Sequence, residues 1–190
     1  MMDTKNAIEQ AVKILKDGGV ILYPTDTVWG LGCDATNAVA VEKIYKIKKR
    51  EDNKSLIILV DGEDMLCRYI KEIPQVALQL IEIADQPLTI IYPGAIGLAK
   101  NVIAEDNTVG IRIPHHNFCL QIIHRFNRPI ISTSANISGE KAPAYFINIS
   151  EYIKSAADWV ADPAFEADST GKPSSIIKLG LGGEVQIIRK

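Results

Sequence analysis

The sequence predicts an α/β fold: a twisted, open, mixed sheet flanked by helices. Short aliphatic runs alternate with stretches whose apolar residues recur every three or four positions. One run, Leu56 to Val60, is aliphatic without interruption, as in a strand covered on both faces. No repeat, low-complexity tract or Pro/Ser-rich linker divides the pattern, so the expectation is one domain over residues 1–190.

The elements follow in order. Asp3 or Thr4 can cap a first helix with an apolar face of Ala7, Ile8, Ala11, Val12, Ile14 and Leu15, stopped by Gly18-Gly19. Val20 to Tyr23 reads as a strand ended by Pro24. Asn37 can cap a second helix through Val41, Ile44, Tyr45 and Ile47, followed by the Leu56 strand. Pro74 to Ala84 suits a helix with proline in its first turn. Leu88 to Tyr92, Val109 to Ile113 and Ile130 to Ser132 read as strands, with a helix from about Phe118 to Phe126 behind Asn117. Trp159 to Ala161, Ser175 to Leu179 and Val185 to Ile188 complete the set. The last two are joined by the hairpin signal Gly180-Leu181-Gly182-Gly183, and Ser138 to Ala144 is the most loop-like stretch.

Composition bounds the function. With 47% hydrophobic and 23% charged residues, the chain is neither disordered nor collagen-like. Lys and Arg number 21 against 23 Asp and Glu, a net charge of -2, so any anion site must be a local arrangement. Cys33, Cys67 and Cys119 stand far apart without a C-x-x-C pair, which argues against a disulfide framework and a structural zinc site. Charges at Asp3, Lys5, Glu9 and Lys13 do not fit a signal peptide, and no apolar run approaches a membrane span. The expectation is a cytoplasmic protein with no membrane partner.

Several motifs fail on context. Gly30-Leu31-Gly32-Cys33-Asp34-Ala35 matches G-x-G-x-x-A, but six residues separate it from the preceding strand and the next helix begins late. Gly171-Lys172 lacks the earlier glycine of a phosphate loop, and Ser138-Gly139-Glu140-Lys141 lacks the partner motifs of an S-x-x-K enzyme. His115-His116 have no third ligand at metal spacing, so they read as surface or loop residues and no metal site is expected.

Two kinds of cluster carry more. Lys43, Lys46, Lys48, Lys49, Arg50 and Lys54 place six of the 21 basic residues in twelve positions. A helix C-terminus favours Lys46 and Lys48. Arg50 and Lys54 lie beyond it and lead into a buried strand, where they can converge on an anion such as a polyphosphate. The second kind is rich in hydroxyls: Ser132-Thr133-Ser134-Ala135-Asn136 at a strand end, and Thr25-Asp26-Thr27 after another. Each serves equally as a turn or cap and as a ligand cradle.

Taken in order, Y-P-T-D-T-V-W-G-L-G, K-K-R-x-x-x-K, G-I-R-I-P and S-T-S-A-N-x-S-G closely resemble the YrdC-like family of L-threonylcarbamoyladenylate synthases, from about Ala7 to Arg189. The chain resembles the short, single-domain form, with a YrdC/RibB-like fold. The resemblance implies adenylation of threonine-derived carbamate: L-threonine, bicarbonate and ATP yield threonylcarbamoyl-AMP and pyrophosphate. The product feeds threonylcarbamoyladenosine modification of tRNA through a downstream threonylcarbamoyl-transferase complex.

By matching position, Thr27, Arg112, Ser132 and Ser174 would contact threonine. Arg50, Lys54, Thr108, Ser134 and Arg189 would contact ATP, bound with Mg2+, and Lys48, Arg50, Ser134 and Asn136 would form the family's catalytic tetrad. Lys49, Glu51 and Ser55 stand where the family commonly has a glycine and two prolines. Two other readings remain open at this level: a protein that binds double-stranded RNA or tRNA through the basic cluster, and a paralogue that adenylates another carbamoyl donor, as the related domain of hydrogenase-maturation proteins uses carbamoyl phosphate.

Overall fold

A computed structural model describes residues 3–50, 56–167 and 169–190. Helix α1, Thr4–Lys16, starts at Asp3, whose carboxylate accepts from the Lys5 amide, and buries Ala7, Ile8, Ala11, Val12 and Leu15. Helix α2, Ala38–Lys48, is capped by Asn37, whose side chain accepts from the amides of Val39 and Ala40. Helix α5, Asn117–Phe126, buries Phe118, Cys119, Ile122, Ile123 and Phe126. Helix α4, Gln75–Ile83, forms where a helix is expected, with Pro74 at its N-cap rather than in its first turn. Two short helices carry no sequence signal long enough to read: α3, Glu63–Tyr69, and α6, Glu151–Ala156.

Nine strands form one sheet. In chain order they are β1 (Ile21–Tyr23), β2 (Gly30–Gly32), β3 (Ile57–Leu59), β4 (Leu88–Pro93), β5 (Thr108–Arg112), β6 (Ile130–Ser134), β7 (Trp159–Val160), β8 (Ser175–Leu179) and β9 (Val185–Arg189). Across the sheet they run β7-β1-β2-β6-β3-β5-β4-β8-β9. Three pairs are parallel (β1 with β7, β3 with β5, β4 with β8) and the rest antiparallel, so the sheet is mixed, as the sequence predicts. No described helix is long and apolar enough to cross a membrane.

The sequence reading has no strand at Gly30–Gly32; the structure has β2 there. Two glycines have little intrinsic strand preference, and this segment is a strand because both neighbours pair with it: Gly30 with Tyr23 and Ser134, Leu31 with Leu22 and Thr133. The glycines also let side chains approach. A Cβ on Gly32 would stand 2.6 Å from Tyr23 Cε1 and 2.8 Å from the Ile131 carbonyl, and one on Gly30 would stand 3.1 Å from Ser132 Oγ. His116 departs from the surface reading as well. It is buried and precedes α5, where its ring accepts from the Cys119 amide, while Nε2 meets the Phe165 carbonyl at 3.1 Å. His115 is exposed.

Strand alternation puts Gly30, Ser132, Ser134, Ile57, Gly110 and Arg112 on one face, because each stands in register with another of the set or two residues along its strand. The contrast between glycines gives a test. Gly32→Ala should lower the free energy of unfolding by about 1–3 kcal/mol through overpacking against Tyr23. Gly110→Ala, whose Cβ meets nothing nearer than 3.5 Å, should cost clearly less. Urea denaturation of the two variants makes the comparison, and equal losses would contradict it.

Candidate functional site

That face carries a recess of ≈ 90 Å³ whose lining includes Thr27, Trp29, Gly30, Ile57, Arg112, Ser132, Ser134, Ala142, Pro173, Ser174 and Arg189. Six of the site residues expected from sequence therefore meet in one place: Thr27, Arg112, Ser132, Ser134, Ser174 and Arg189. They come from the turn after β1, from the ends of β5, β6 and β9, and from the residue before β8. A larger groove of ≈ 570 Å³, lined by Glu9, Val12, Lys13, Lys16, Asp17 and Arg125, is a charged surface on α1 and α5 without convergent hydroxyls.

Arg112 organises the recess. It is 4% exposed; its Nη1 donates to Asp26 Oδ1 and its Nη2 to Thr27 Oγ1 at 3.2 Å. Asp26 Oδ2 accepts from the His115 amide at 3.0 Å, so the carboxylate is fixed from two sides. A buried charge pair is tolerated when its remaining donors and acceptors are met, and here one is left over: Arg112 Nε is buried and has no hydrogen-bond partner among the described residues.

The hydroxyls are held as firmly. Thr25 Oγ1 donates to the Val28 carbonyl at 2.8 Å and lies 2.8 Å from Thr27 Oγ1, which leaves Thr27 to donate to Thr25 and accept from Arg112. Ser174 Oγ lies 2.8 Å from the fully buried Thr89 Oγ1. Arg189 donates from Nε to the Ser174 carbonyl at 2.9 Å. Burial, reinforced by the charge of Arg112, lowers the pKa of Arg189. Trp29 closes one wall; its indole nitrogen donates to Glu166 at 2.6 Å, and the same carboxylate oxygen accepts from the Phe146 amide at 2.8 Å.

Lys48, Arg50 and Asn136 do not line the recess. Lys48 Nζ donates to the carbonyls of Ser134 at 2.5 Å and Asn136 at 2.7 Å, tying the end of α2 to the loop after β6. Burial first, and then the nearby charge of Arg50, lower its pKa to about 8. Arg50 is partly buried, and burial lowers its pKa too. Lys49 between them has φ 48, a left-handed conformation that glycine takes freely. That backbone requirement accounts for the glycine the related motif has there. Asn136 Nδ2 donates to the carbonyls of Ile137 and Glu140, and its Oδ1 is buried with no partner among the described residues.

Thr108 lies on the same face, two residues from Gly110, and donates to Asp106 at 2.6 Å; it does not line the recess. Lys54 lies outside the described residues. Sequence reasoning missed the roles of Asp26, Thr89 and Glu166 as partners. Asp26 sits inside a quoted motif, whereas Thr89 and Glu166 gave no local signal. Burial raises the thiol pKa values of Cys33 and Cys119, which keeps both protonated and unreactive at neutral pH.

The lowered lysine has a pH signature. Between about 8 and 10.5 the unfolded chain keeps a proton that folded Lys48 has shed, so this residue's contribution to stability rises with pH across that window. The stability of the wild type relative to Lys48→Met should therefore improve from pH 8 to 10.5 in denaturant titrations. A difference that stays flat would contradict the lowered pKa.

The Sua5/YciO/YrdC family model, described as telomere recombination, matches residues 13–190. A threonylcarbamoyl-AMP synthase of Psychromonas ingrahamii is 36% identical over 154 residues, 80% of this chain and 81% of the relative. Among solved structures, a double-alanine variant of P. abyssi Sua5 superposes with a TM-score of 0.87 at 28% identity, over 99% of this chain and 57% of that one. P. abyssi Sua5 complexed with L-threonine gives 0.85 at 28% identity, over 94% and 52%. This chain thus spans just over half the length of those Sua5 chains. Motif order, sheet topology and these matches agree: the chain belongs to the Sua5/YciO/YrdC family.

Proposed function

We propose that this protein is a nucleotidyltransferase that makes L-threonylcarbamoyl-AMP from L-threonine, bicarbonate and ATP, releasing pyrophosphate. The observation that carries the reading is the recess itself: a buried arginine with an unused Nε, beside three hydroxyls that add no charge. An amino acid carboxylate satisfies Arg112 Nε through a charge-assisted hydrogen bond. Thr27, Ser132 and Ser174 orient the amino group and the side-chain hydroxyl. The curated relatives named threonylcarbamoyl-AMP synthase and the threonine-bound P. abyssi Sua5 support this choice of substrate.

The threonine amine attacks the carbon of CO2 derived from bicarbonate and loses a proton, which gives a carbamate. A carbamate oxygen attacks the α-phosphorus of ATP, and the bond to the bridging oxygen breaks as pyrophosphate leaves. Both reactants are anions, so their repulsion is the main obstacle. Arg50, Lys54 and Arg189 lower it by neutralising phosphate oxygens, and Ser134 and Thr108 supply further contacts.

Lys48 acts by fixing the loop that carries Ser134 and Asn136, to whose carbonyls it is bonded. Holding the reactants in line is worth up to about 7–11 kcal/mol in favourable cases. Mg2+ enters with ATP as part of the substrate; among the described residues no group of three or more His, Cys, Asp or Glu stands together. We assign the product to tRNA modification through a partner that accepts it, in the cytoplasm.

A pyrophosphate-release assay with each substrate omitted in turn tests the reading. Release should require threonine, bicarbonate and ATP together. Release that persists without threonine would refute the substrate, and release restored by carbamoyl phosphate would favour another donor. Salt-dependent binding of double-stranded RNA with no adenylate formed would favour the RNA-binding reading. Arg112→Lys should raise the KM for threonine about tenfold or more and leave the KM for ATP within about threefold, since an ammonium carries its donors on one atom and lacks the planar fork that reaches Asp26 and Thr27 from separate nitrogens.

A further inference from the structure

Residues two apart on a strand share a face, so Ile187 and Arg189 belong on the same side of β9. Their pairing with β8 separates them. Val185, Gln186 and Ile187 stand opposite Leu179, Lys178 and Ile177, but Arg189 stands opposite Ile176. The ladder absorbs one extra residue, Ile188, as a β-bulge.

The face matters because Ile176 is paired with Thr89, whose hydroxyl meets Ser174 in the recess, whereas Ile177 is paired with Ile90 on the other side. In an unbulged ladder Ile188 would oppose Ile176, and Arg189 would turn away with Ile187. With the bulge, Arg189 Nε reaches the Ser174 carbonyl at 2.9 Å and Nη2 approaches Ser174 Oγ at 3.5 Å. Ile188 itself is 49% exposed and takes no part in the core. Its contribution is to stand outside the pairing. A bulge anywhere on this terminal strand would blunt the exposed edge; one placed between Ile187 and Arg189 also turns the arginine away from the face of Ile187.

We propose that the bulge at Ile188 positions Arg189: because Ile188 stands outside the pairing, the arginine falls on the face of the recess, where the guanidinium meets the nucleotide. This rests on the proposed function for the assignment of Arg189 to ATP. Register and not the Ile188 side chain sets the face, so a deletion and a side-chain change are tolerated where an insertion is not.

The test compares four variants in the pyrophosphate-release assay, with melting temperatures alongside. Arg189→Ala should raise the KM for ATP about tenfold. Deletion of Ile188 should stay within about threefold of wild type, because the arginine then follows Ile187 directly and opposes Ile176 in a regular ladder. Ile188→Thr should match wild type. Insertion of one alanine between Ile188 and Arg189 should lose as much as Arg189→Ala: with the bulge kept the arginine passes to the opposite face, and in a regular ladder it moves on to stand opposite Ser174 rather than Ile176.

A deletion variant that melts normally yet loses what Arg189→Ala loses, or an insertion variant that stays active, would overturn the proposal; so would wild-type kinetics in Arg189→Ala. Should the deletion unfold, the insertion decides. A wild-type protein that releases no pyrophosphate defeats the proposed function instead. The bulge is then read from the Arg189 Nε–H resonance by NMR: its bond to the Ser174 carbonyl should persist in the deletion variant and vanish in the insertion variant, and the reverse pattern would refute the claim.

Discussion

The Asp26–Arg112 pair is the constraint on which the site depends. Both groups are almost wholly removed from water, and 86 residues separate them along the chain. A buried guanidinium is tolerated only where a carboxylate and further acceptors meet it, so the turn after β1 and the end of β5 must converge. That convergence fixes Thr27, which accepts from the same arginine, and brings His115 against Asp26. The pair also leaves Arg112 Nε buried without a hydrogen-bond partner among the described residues, and an unsatisfied buried donor is costly.

The mixed sheet supplies the rest of the geometry. In an all-parallel sheet the ligand-facing residues come from loops beyond the carboxyl ends of the strands. Here β6 ends at the recess, β2 and β3 begin there, and Ser174 lies just before β8, so the floor is made of strand residues: Gly30, Ile57, Ser132 and Ser134. Strand backbone is rigid, and the two glycines of β2 let Tyr23 and Ser132 pack closely without a Cβ between them. Tyr23 is fully buried, and that burial raises its pKa well above the ordinary phenol value, so its ring stays neutral. Glu166 adds the outer wall by tying Trp29 to the Phe146 segment.

Much of this was legible from the chain, for identifiable reasons. α1 and α2 each present two or more turns of apolar periodicity behind a capping side chain, α5 presents the periodicity although its cap is His116 and not Asn117, and the aliphatic run of β3 announces a covered strand. β2 was hidden because its strand character comes from its neighbours, and α3 and α6 because seven and six residues do not establish a period. His116 looked like a surface residue because nothing local shows that its ring will cap a helix and meet Phe165. In the recess, residue types were readable where chemistry clusters them, as in Ser132 to Asn136. Long-range partners such as Thr89 with Ser174, and the one-residue slip that aims Arg189, exist only after the sheet is paired.

The most direct measurement is a crystal structure of the protein with L-threonine and a non-hydrolysable ATP analogue. The account requires the amino acid carboxylate within hydrogen-bonding distance of Arg112 Nε, with its amine turned towards the α-phosphate and the triphosphate near Arg50 and Ser134. Threonine found elsewhere, for example in the charged groove of α1 and Arg125, with Arg112 Nε still unsatisfied, would contradict it.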